Sequence, residues 1–400
     1  MNEQKISRAS NPAINCVDPI VSAKELTPLI RAHADETERA CRLAAPVVDA
    51  LRSARLFSMG LPVSLGGTET PIPQALRTIE QIAFADGAAG WNVMIAFDTG
   101  MLAGYLRGAQ ARELIASISA PIVANSVFPP GRLSHTAGGY RLSGRWRFGS
   151  GCQQADIFIV TATLCDNGAP ATSVKGTLEM LHAAVLPAAD VTILDTWHVI
   201  GMRGTGSHDY AVDNLFVPEG LVEPLRIVAP FEPGPLYAFG IFPTFGVVKT
   251  AVALGIARHA IDAFKELAMA KTPAGHTSLL RERPAVQADV ARAEACVRSA
   301  RAFVHETVAE AWQRVTEGNP PSIEHRAWLR LAGVDGVQRA IEAVDLMYNA
   351  AAASAIFESN PLERCFRDVH VIPAHIVVQP NVYEAAGRVF LDLPPGTMIF

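Results

Sequence analysis

The chain changes its hydrophobic period twice, and that pattern limits its fold more than any other feature. The stretch "RPAVQADVARAEACVRSARAFVHETVAEAWQRV", residues 283–315, carries apolar residues at helical spacing for about eight turns. A second long run, "IEHRAWLRLAGVDGVQRAIEAVDLMYNAAAASAIF", residues 323–357, has the same period. Helices of this length bury their apolar stripes against one another, so an antiparallel bundle is expected. Between about Pro121 and Pro218 the period is instead two, in "PIVANSVF", "GYRLSGRWRFGSG", "DIFIVTATL", "LEMLHAAVLP", "VTILDTWHVIG" and "DYAVDNLFVP". Gly, Pro, Asn or Asp bounds each segment, as in a small antiparallel β-domain. Before it the spacing is helical again. "TPLIRAHADETERACRLAAPVVDALRSARLF" is interrupted only by Pro46, and "QALRTIEQIAFADGAAGWNVMIAFDTGMLAGYL" contains a Gly-rich turn at Asp86 to Gly90. The expected class is α+β: a helical domain over 1–118, an antiparallel β-domain over 119–230 and a four-helix bundle over 231–400.

A chain of 400 residues, half of them apolar, can bury a large interior. Its 34 basic against 39 acidic residues leave no basic surplus to attract nucleic acid or an anionic membrane, so a small-molecule site is expected. The six cysteines, at 16, 41, 152, 165, 296 and 365, lack paired ligand spacing and read as reduced thiols, with no metal site implied. The start, "MNEQKISRASNPAIN", has no apolar core of a leader. The most apolar later segment, 239–256, reads as broken by Pro243 and Lys249 before it reaches membrane-spanning length. A cytoplasmic protein is expected.

Three segments carry candidate chemistry. In "SGRWRFGSGCQQADIFIV", residues 143–160, Trp146 and Phe148 alternate with Arg145 and Arg147, and Gly149-Ser150-Gly151 then offers a hydroxyl beside bare backbone. This suits a flat heteroaromatic ligand, although a Trp/Phe core stripe followed by a turn gives the same pattern. In "DTWHVIGMRGTGSHDYAVDNLFVP", residues 195–218, a strand rather than a helix follows the glycines. That excludes a dinucleotide fingerprint, and the segment reads as a β-domain connection with Arg203 and Ser207 in solvent. In "NPLERCFRDVHVIPAH", residues 360–375, two histidines near neutral pKa offer acid–base capacity. Arg367 and Asp368 form a candidate orienting ion pair there, and His370 is either a supporting or a surface residue.

These segments, in this order, resemble the acyl-CoA dehydrogenase superfamily over residues of roughly 20–395, and within it the reduced-flavin-dependent monooxygenases. That branch includes the oxygenase component of p-hydroxyphenylacetate hydroxylase, the steroid-ring hydroxylase and dibenzothiophene monooxygenase. The resemblance implies an oxygenase that takes reduced flavin, FADH2 or FMNH2, from a separate NAD(P)H-flavin reductase, since nothing here resembles a nicotinamide-binding unit. With O2 it would form a C4a-hydroperoxide and hydroxylate or epoxidise a small aromatic, possible substrates including an indole. A homotetramer is implied.

By the same resemblance, Ser150 hydrogen-bonds the flavin N5 and His375 meets the flavin peroxide. Trp146, Phe148, Asn125, Ser126 and Arg367 are further cofactor-binding candidates. Arg283 lies where relatives reach a neighbouring subunit's flavin phosphates, or is simply a charged helix start. Trp91 corresponds to an aromatic near flavin or substrate, though a core tryptophan accounts for it equally. Phenol-hydroxylating members carry a histidine near Ala96 to Gly100 that is absent here; Asp98 there either accepts an N–H such as an indole's or faces solvent at a helix end. Two alternatives stay open. One is a dehydrogenase with oxidised FAD, whose carboxylate pattern Y-x-G-x-x-E is missing; the other is an N-oxygenase of an amino sugar.

Overall fold

The structure is a computed structural model that describes residues 18–166, 169–170, 181–227, 229–397 and 399–400. The N-terminal stretch, Cys16 and the first residues of the segment 178–187 lie outside the described residues.

The chain begins with α1 (Pro19–Ala32), α2 (Ala34–Ala40) and α3 (Ala45–Ser53), followed by α4 (Ile72–Ala85), α5 (Gly87–Ala103) and α6 (Ala109–Ala116). The first run is therefore three helices rather than one interrupted at Pro46. Cys41 adopts the left-handed region at φ 48° and ends α2. Pro46 lies in the first turn of α3, where a missing N–H breaks no helix bond. Asp86 separates α4 from α5; its side chain accepts from Ala89 N at 2.8 Å and caps α5.

Strands β1 (Val123–Thr136), β2 (Gly139–Trp146), β3 (Ile157–Asp166), β4 (Ala169–Pro170), β5 (Leu181–Pro187), β6 (Thr192–Leu194), β7 (Asp209–Pro218) and β8 (Val222–Pro224) follow. The sheet order is β6-β7-β2-β1-β3-β5-β8, with β4 beside β3. Among the described residues the pairs are antiparallel except one: β1 and β3 run parallel, Val123 opposite Ile157, with a register break between Ser126 and Gly131. The departure from an all-antiparallel sheet follows from the path of the chain. After β2 returns to the end where β1 began, residues 147–156 pass around that end and deliver β3 to the other side of β1. This crossing contains Ser150. Because β7 pairs antiparallel with β2, Trp146 opposite Tyr210, the residues entering β7 lie at the same end.

The remainder is helical: α7 (Pro235–Ala238), α8 (Ile241–Ala270), α9 (Pro284–Thr316), α10 (Ile323–Ala351), α11 (Pro361–Val371) and α12 (Asn381–Phe390). The helix expected to reach Phe357 stops at Ala351, because Ala352 turns to φ 51° and a 3-10 segment follows. α8 packs on α10 and on α4, and α11 packs on both α8 and α10. One apolar core joins α4 and α5 to the bundle, while the sheet has smaller clusters of its own.

Pro243 and Lys249 do not break the apolar run after all. α8 continues through both for 30 residues, long and apolar enough by composition to cross a membrane, yet 83% of its most apolar window is buried in this core. Pro243 sits in the first turn, where it disturbs little. Lys249 is 1% exposed.

Candidate functional site

The crossing loop and the β7 entry loop are pinned together at the sheet's end. Gly149 N donates to His208 O at 2.9 Å and Gly151 N to Thr205 O at 3.1 Å. Gly151 stands at φ 73°, a backbone that favours glycine. The two loops bring three buried hydroxyls into a row: Ser150 Oγ is 2.6 Å from Ser207 Oγ, which is 2.7 Å from Thr205 Oγ1. From the helical side, Trp91 on α5 donates its indole N–H to Ser150 Oγ at 3.0 Å. Gln154 Nε2 reinforces the joint by donating to Asn92 Oδ1 at 2.8 Å.

Trp91 also meets the C-terminal tail. Its ring and that of His375 lie edge to face, 5.8 Å between centroids. His375 follows α11 and a short 3-10 turn, and its Nδ1 accepts from Val377 N at 3.4 Å, so the neutral ring carries its proton on Nε2. Burial holds its pKa well below the ordinary value, and the charges of Lys249 and Arg330 push in the same direction.

Lys249 Nζ lies 2.7 Å from Asp98 Oδ2, 5.1 Å from the Phe245 ring centroid and 6.0 Å from that of Trp91. Asp98 is thus a buried, paired residue in the middle of α5 rather than a solvent-facing helix end. Burial raises its pKa to about 6 against the pull of Lys249, and its second oxygen, Oδ1, has no partner among the described residues. Arg330 on α10 is 2% exposed, its Nε and Nη1 have no partner among the described residues, and burial lowers its pKa to about 10. The centre therefore joins hydroxyls from the β-domain, an indole and a carboxylate from α5, a lysine from α8, an arginine from α10 and a histidine from the tail.

Residues 247–380 match the acyl-CoA dehydrogenase C-terminal domain. Along its length the chain is 32% identical to indole-3-acetate monooxygenase of Pseudomonas putida, over 91% of both chains. It belongs to the reduced-flavin-dependent monooxygenases of the acyl-CoA dehydrogenase superfamily. The oxygenase subunit HsaA of Rhodococcus jostii, a flavin-dependent monooxygenase, is 26% identical over 92% of this chain and 97% of its own. The fold agrees with XiaF from Streptomyces sp. in complex with FADH2 and glycerol: TM-score 0.88, 24% identity, 95% of this chain and 96% of that one. It likewise agrees with TdsC from Paenibacillus sp. A11-2 with FMN and indole: TM-score 0.80, 22% identity, 96% and 100%. As a flavin-dependent monooxygenase of a two-component system, the protein uses reduced flavin and O2, and a separate reductase supplies the flavin.

The residues at the sheet's end fit a monooxygenase flavin. Phe148 is 66% exposed at φ 59° and stands edge-on to Trp197, a bare aromatic shelf two residues before Ser150. Asn125 on β1 keeps a buried Nδ2 without a partner among the described residues, a donor that a flavin's polar ring edge can satisfy. Ser126 Oγ donates to Arg147 O at 2.7 Å and so holds the strip that ends in Phe148.

Other expectations require correction. Trp146 is fully buried, stacked on Tyr210 and donating to Thr161 O, which leaves it no surface for a cofactor. Arg367 pairs with Glu38 and Glu363 and donates to Ile200 O, so its guanidinium is taken by protein groups, and Asp368 is not its partner. Asp368 instead accepts from Met202 N at 2.5 Å. His370 is exposed and faces Asp345 at 3.3 Å, away from the centre. Ser207, read as solvated, is 3% exposed and bonded to Ser150, whereas Arg203 is exposed as expected. Arg283 is exposed at the start of α9, near the far end of α8, about 30 Å along that helix from Lys249. It does not join the centre within its own chain. Sequence reasoning missed Lys249, Arg330, Thr205 and Ser207 as site residues; a lysine inside an otherwise apolar helix was the available signal.

Proposed function

We propose that this monooxygenase oxygenates an indole bearing a short acidic side chain, of the indole-acetate type. The observation that carries the reading is Arg330: a buried guanidinium with two unpartnered nitrogens, near enough to His375 to depress its pKa. A buried unpaired cation is costly, and a carboxylate is its natural complement. Asp98 Oδ1, also unpartnered, supplies an acceptor for an indole N–H, while Trp91 and Phe245 supply apolar rings beside Lys249. Relatives named indole-3-acetate monooxygenase, from Pseudomonas putida at 32% identity and Acinetobacter baumannii at 28%, support the same class. The absence of a histidine at Ala96 to Gly100 speaks against a phenol that must lose its proton.

In this reading Phe148, Asn125 and Ser150 hold the flavin, which when reduced supplies the electrons that activate O2. Ser150 accepts a hydrogen bond at the ring's N5. His375, neutral and carrying its proton on Nε2, donates toward the reacting oxygen and returns a proton there. Trp91 keeps the serine and histidine in register, and the apolar surroundings exclude water. The protein works in the cytoplasm as a homotetramer, the bundle helices meeting at its centre and Arg283 reaching a neighbour's flavin. Exposed Trp328, Phe390, Leu391 and Leu393 on and beside α10 and α12 support such an assembly.

The test is turnover with chemically reduced flavin and O2, comparing indole-3-acetate, indole and 4-hydroxyphenylacetate. Product per flavin oxidised should be highest for indole-3-acetate. Equal or better coupling with 4-hydroxyphenylacetate rejects the substrate class.

A further inference from the structure

The row of hydroxyls at Ser150 has a direction. Each hydroxyl owns one proton, a carbonyl oxygen only accepts and an indole N–H only donates. Thr205 Oγ1 lies 2.8 Å from Met202 O, so its proton goes to that carbonyl. Thr205 Oγ1 is then an acceptor for Ser207 at 2.7 Å, and Ser207, its proton committed, is an acceptor for Ser150 at 2.6 Å. Ser150 has thereby donated its only proton inward. Trp91 Nε1 occupies one of its lone pairs at 3.0 Å. What Ser150 has left for a ligand is its second lone pair, and only that. Ser150, Ser207 and Thr205 are 6%, 3% and 2% exposed, so bulk water does not compete for these bonds.

We propose that Thr205 and Ser207 set the redox-state preference of the flavin site, by holding Ser150 as a hydrogen-bond acceptor that matches the N5–H of reduced flavin and opposes the bare N5 of oxidised flavin. This rests on the reading that Ser150 faces N5. Oxidised flavin presents a lone pair at N5, so Ser150 can meet it only by turning its own proton outward. The three hydroxyl protons then serve four contacts, N5, Ser150–Ser207, Ser207–Thr205 and Thr205–Met202 O, so one contact inside the row must go without a proton. If Ser207 and Thr205 both turn round, the empty contact is Thr205 Oγ1 to Met202 O at 2.8 Å, and that carbonyl keeps its bonds from Trp197 Nε1 at 3.0 Å and Thr205 N at 3.1 Å. The loss of one buried hydrogen bond corresponds to about a tenfold difference in affinity. Thr205 and Ser207 act as positioning residues, through Ser150.

The experiment is an anaerobic titration of the full chain with FMN and with FAD, each oxidised and each photoreduced, yielding the ratio of the oxidised to the reduced dissociation constant. Thr205→Val removes the anchor without changing shape, frees the Ser207 proton for Ser150, and should lower that ratio about tenfold. Thr205→Ser should restore it, which a purely structural role of the threonine would not require. Ser207→Ala, a second way to cut the row, should lower the ratio as well. If both Thr205→Val and Ser207→Ala leave the ratio within about twofold of the parent while Ser150→Ala changes it, the directional row is not the cause and the proposal fails. If Ser150→Ala leaves both constants unchanged, Ser150 does not meet the flavin, and the underlying reading fails instead.

Discussion

In the proposed function Arg330 serves substrate recognition and His375 serves oxygen chemistry, and the two roles can be tested apart. Arg330→Met should weaken indole-3-acetate binding by about 10- to 100-fold, the worth of a charge-assisted hydrogen bond, while neutral indole binds nearly as before. Equilibrium titration of the two ligands checks this; parallel losses for both would show that the arginine serves only the fold. His375→Ala should cut product about 10²-fold, the scale of a lost positioned acid–base group, with hydrogen peroxide rising as product falls. His370→Ala, at an exposed residue that faces Asp345, should leave coupling intact, and a reversed ranking in the peroxide assay would reassign the two histidines. The sequence named Ser150, His375, Trp91 and Asp98, and the structure brings those residues together. It could not show Lys249 or Arg330, because a cation in an apolar helix reads as an interruption until the facing carboxylate or the enclosing helices are known. Ser207 was misread for a related reason: a Gly-rich loop is usually wet, and only the crossing of residues 147–156 buries this one.

The element that ties the tail to the β-domain is α11, through Asp368. Its carboxylate accepts from Met202 N, and Gly201 packs so closely on α11 that a Cβ there would lie 2.2 Å from Arg367 O. Burial and the nearby Asp86 raise the pKa of Asp368 to about 7. A carboxyl with its folded pKa raised adds stability that is fully present below the unfolded value and is lost as pH rises through about 7. Asp368→Asn, which keeps an oxygen for Met202 N and sheds the buried charge, should flatten the decline in melting temperature across that window. Asp368→Ala should lower the melting temperature at every pH by stranding that N–H. Thermal melts from the ordinary carboxyl value of 3.8 up to about 7 decide; an Asn variant with the parent's pH slope would remove Asp368 as the titrating group. Period alone sufficed for the change from helix to strand and back and for the long bundle helices, since those patterns are local. It failed at the parallel β1–β3 pair and at the breaks flanking α2, where a crossing loop and a left-handed cysteine decide the path. Neither alters the apolar spacing.

For the whole molecule, the proposed tetramer turns on Arg283. It lies far along α8 from its own centre, so the proposed tetramer would use it in trans. Ser150→Ala and Arg283→Ala subunits, each impaired alone, should regain part of the parent turnover when co-assembled, because one mixed pair contains an intact serine facing an intact arginine. Absence of any recovery, with mixed oligomers verified by native mass spectrometry, would count against shared sites. The composite centre has another consequence, in time rather than space. Trp91 and Ser150 leave the ribosome early, whereas Lys249, Arg330 and finally His375 follow in that order, near the end of a synthesis running at roughly 5–20 residues per second. Under the proposed roles, the loop that would hold the flavin is therefore synthesised well before the histidine that would meet activated oxygen, and only the last stretch of translation completes the centre.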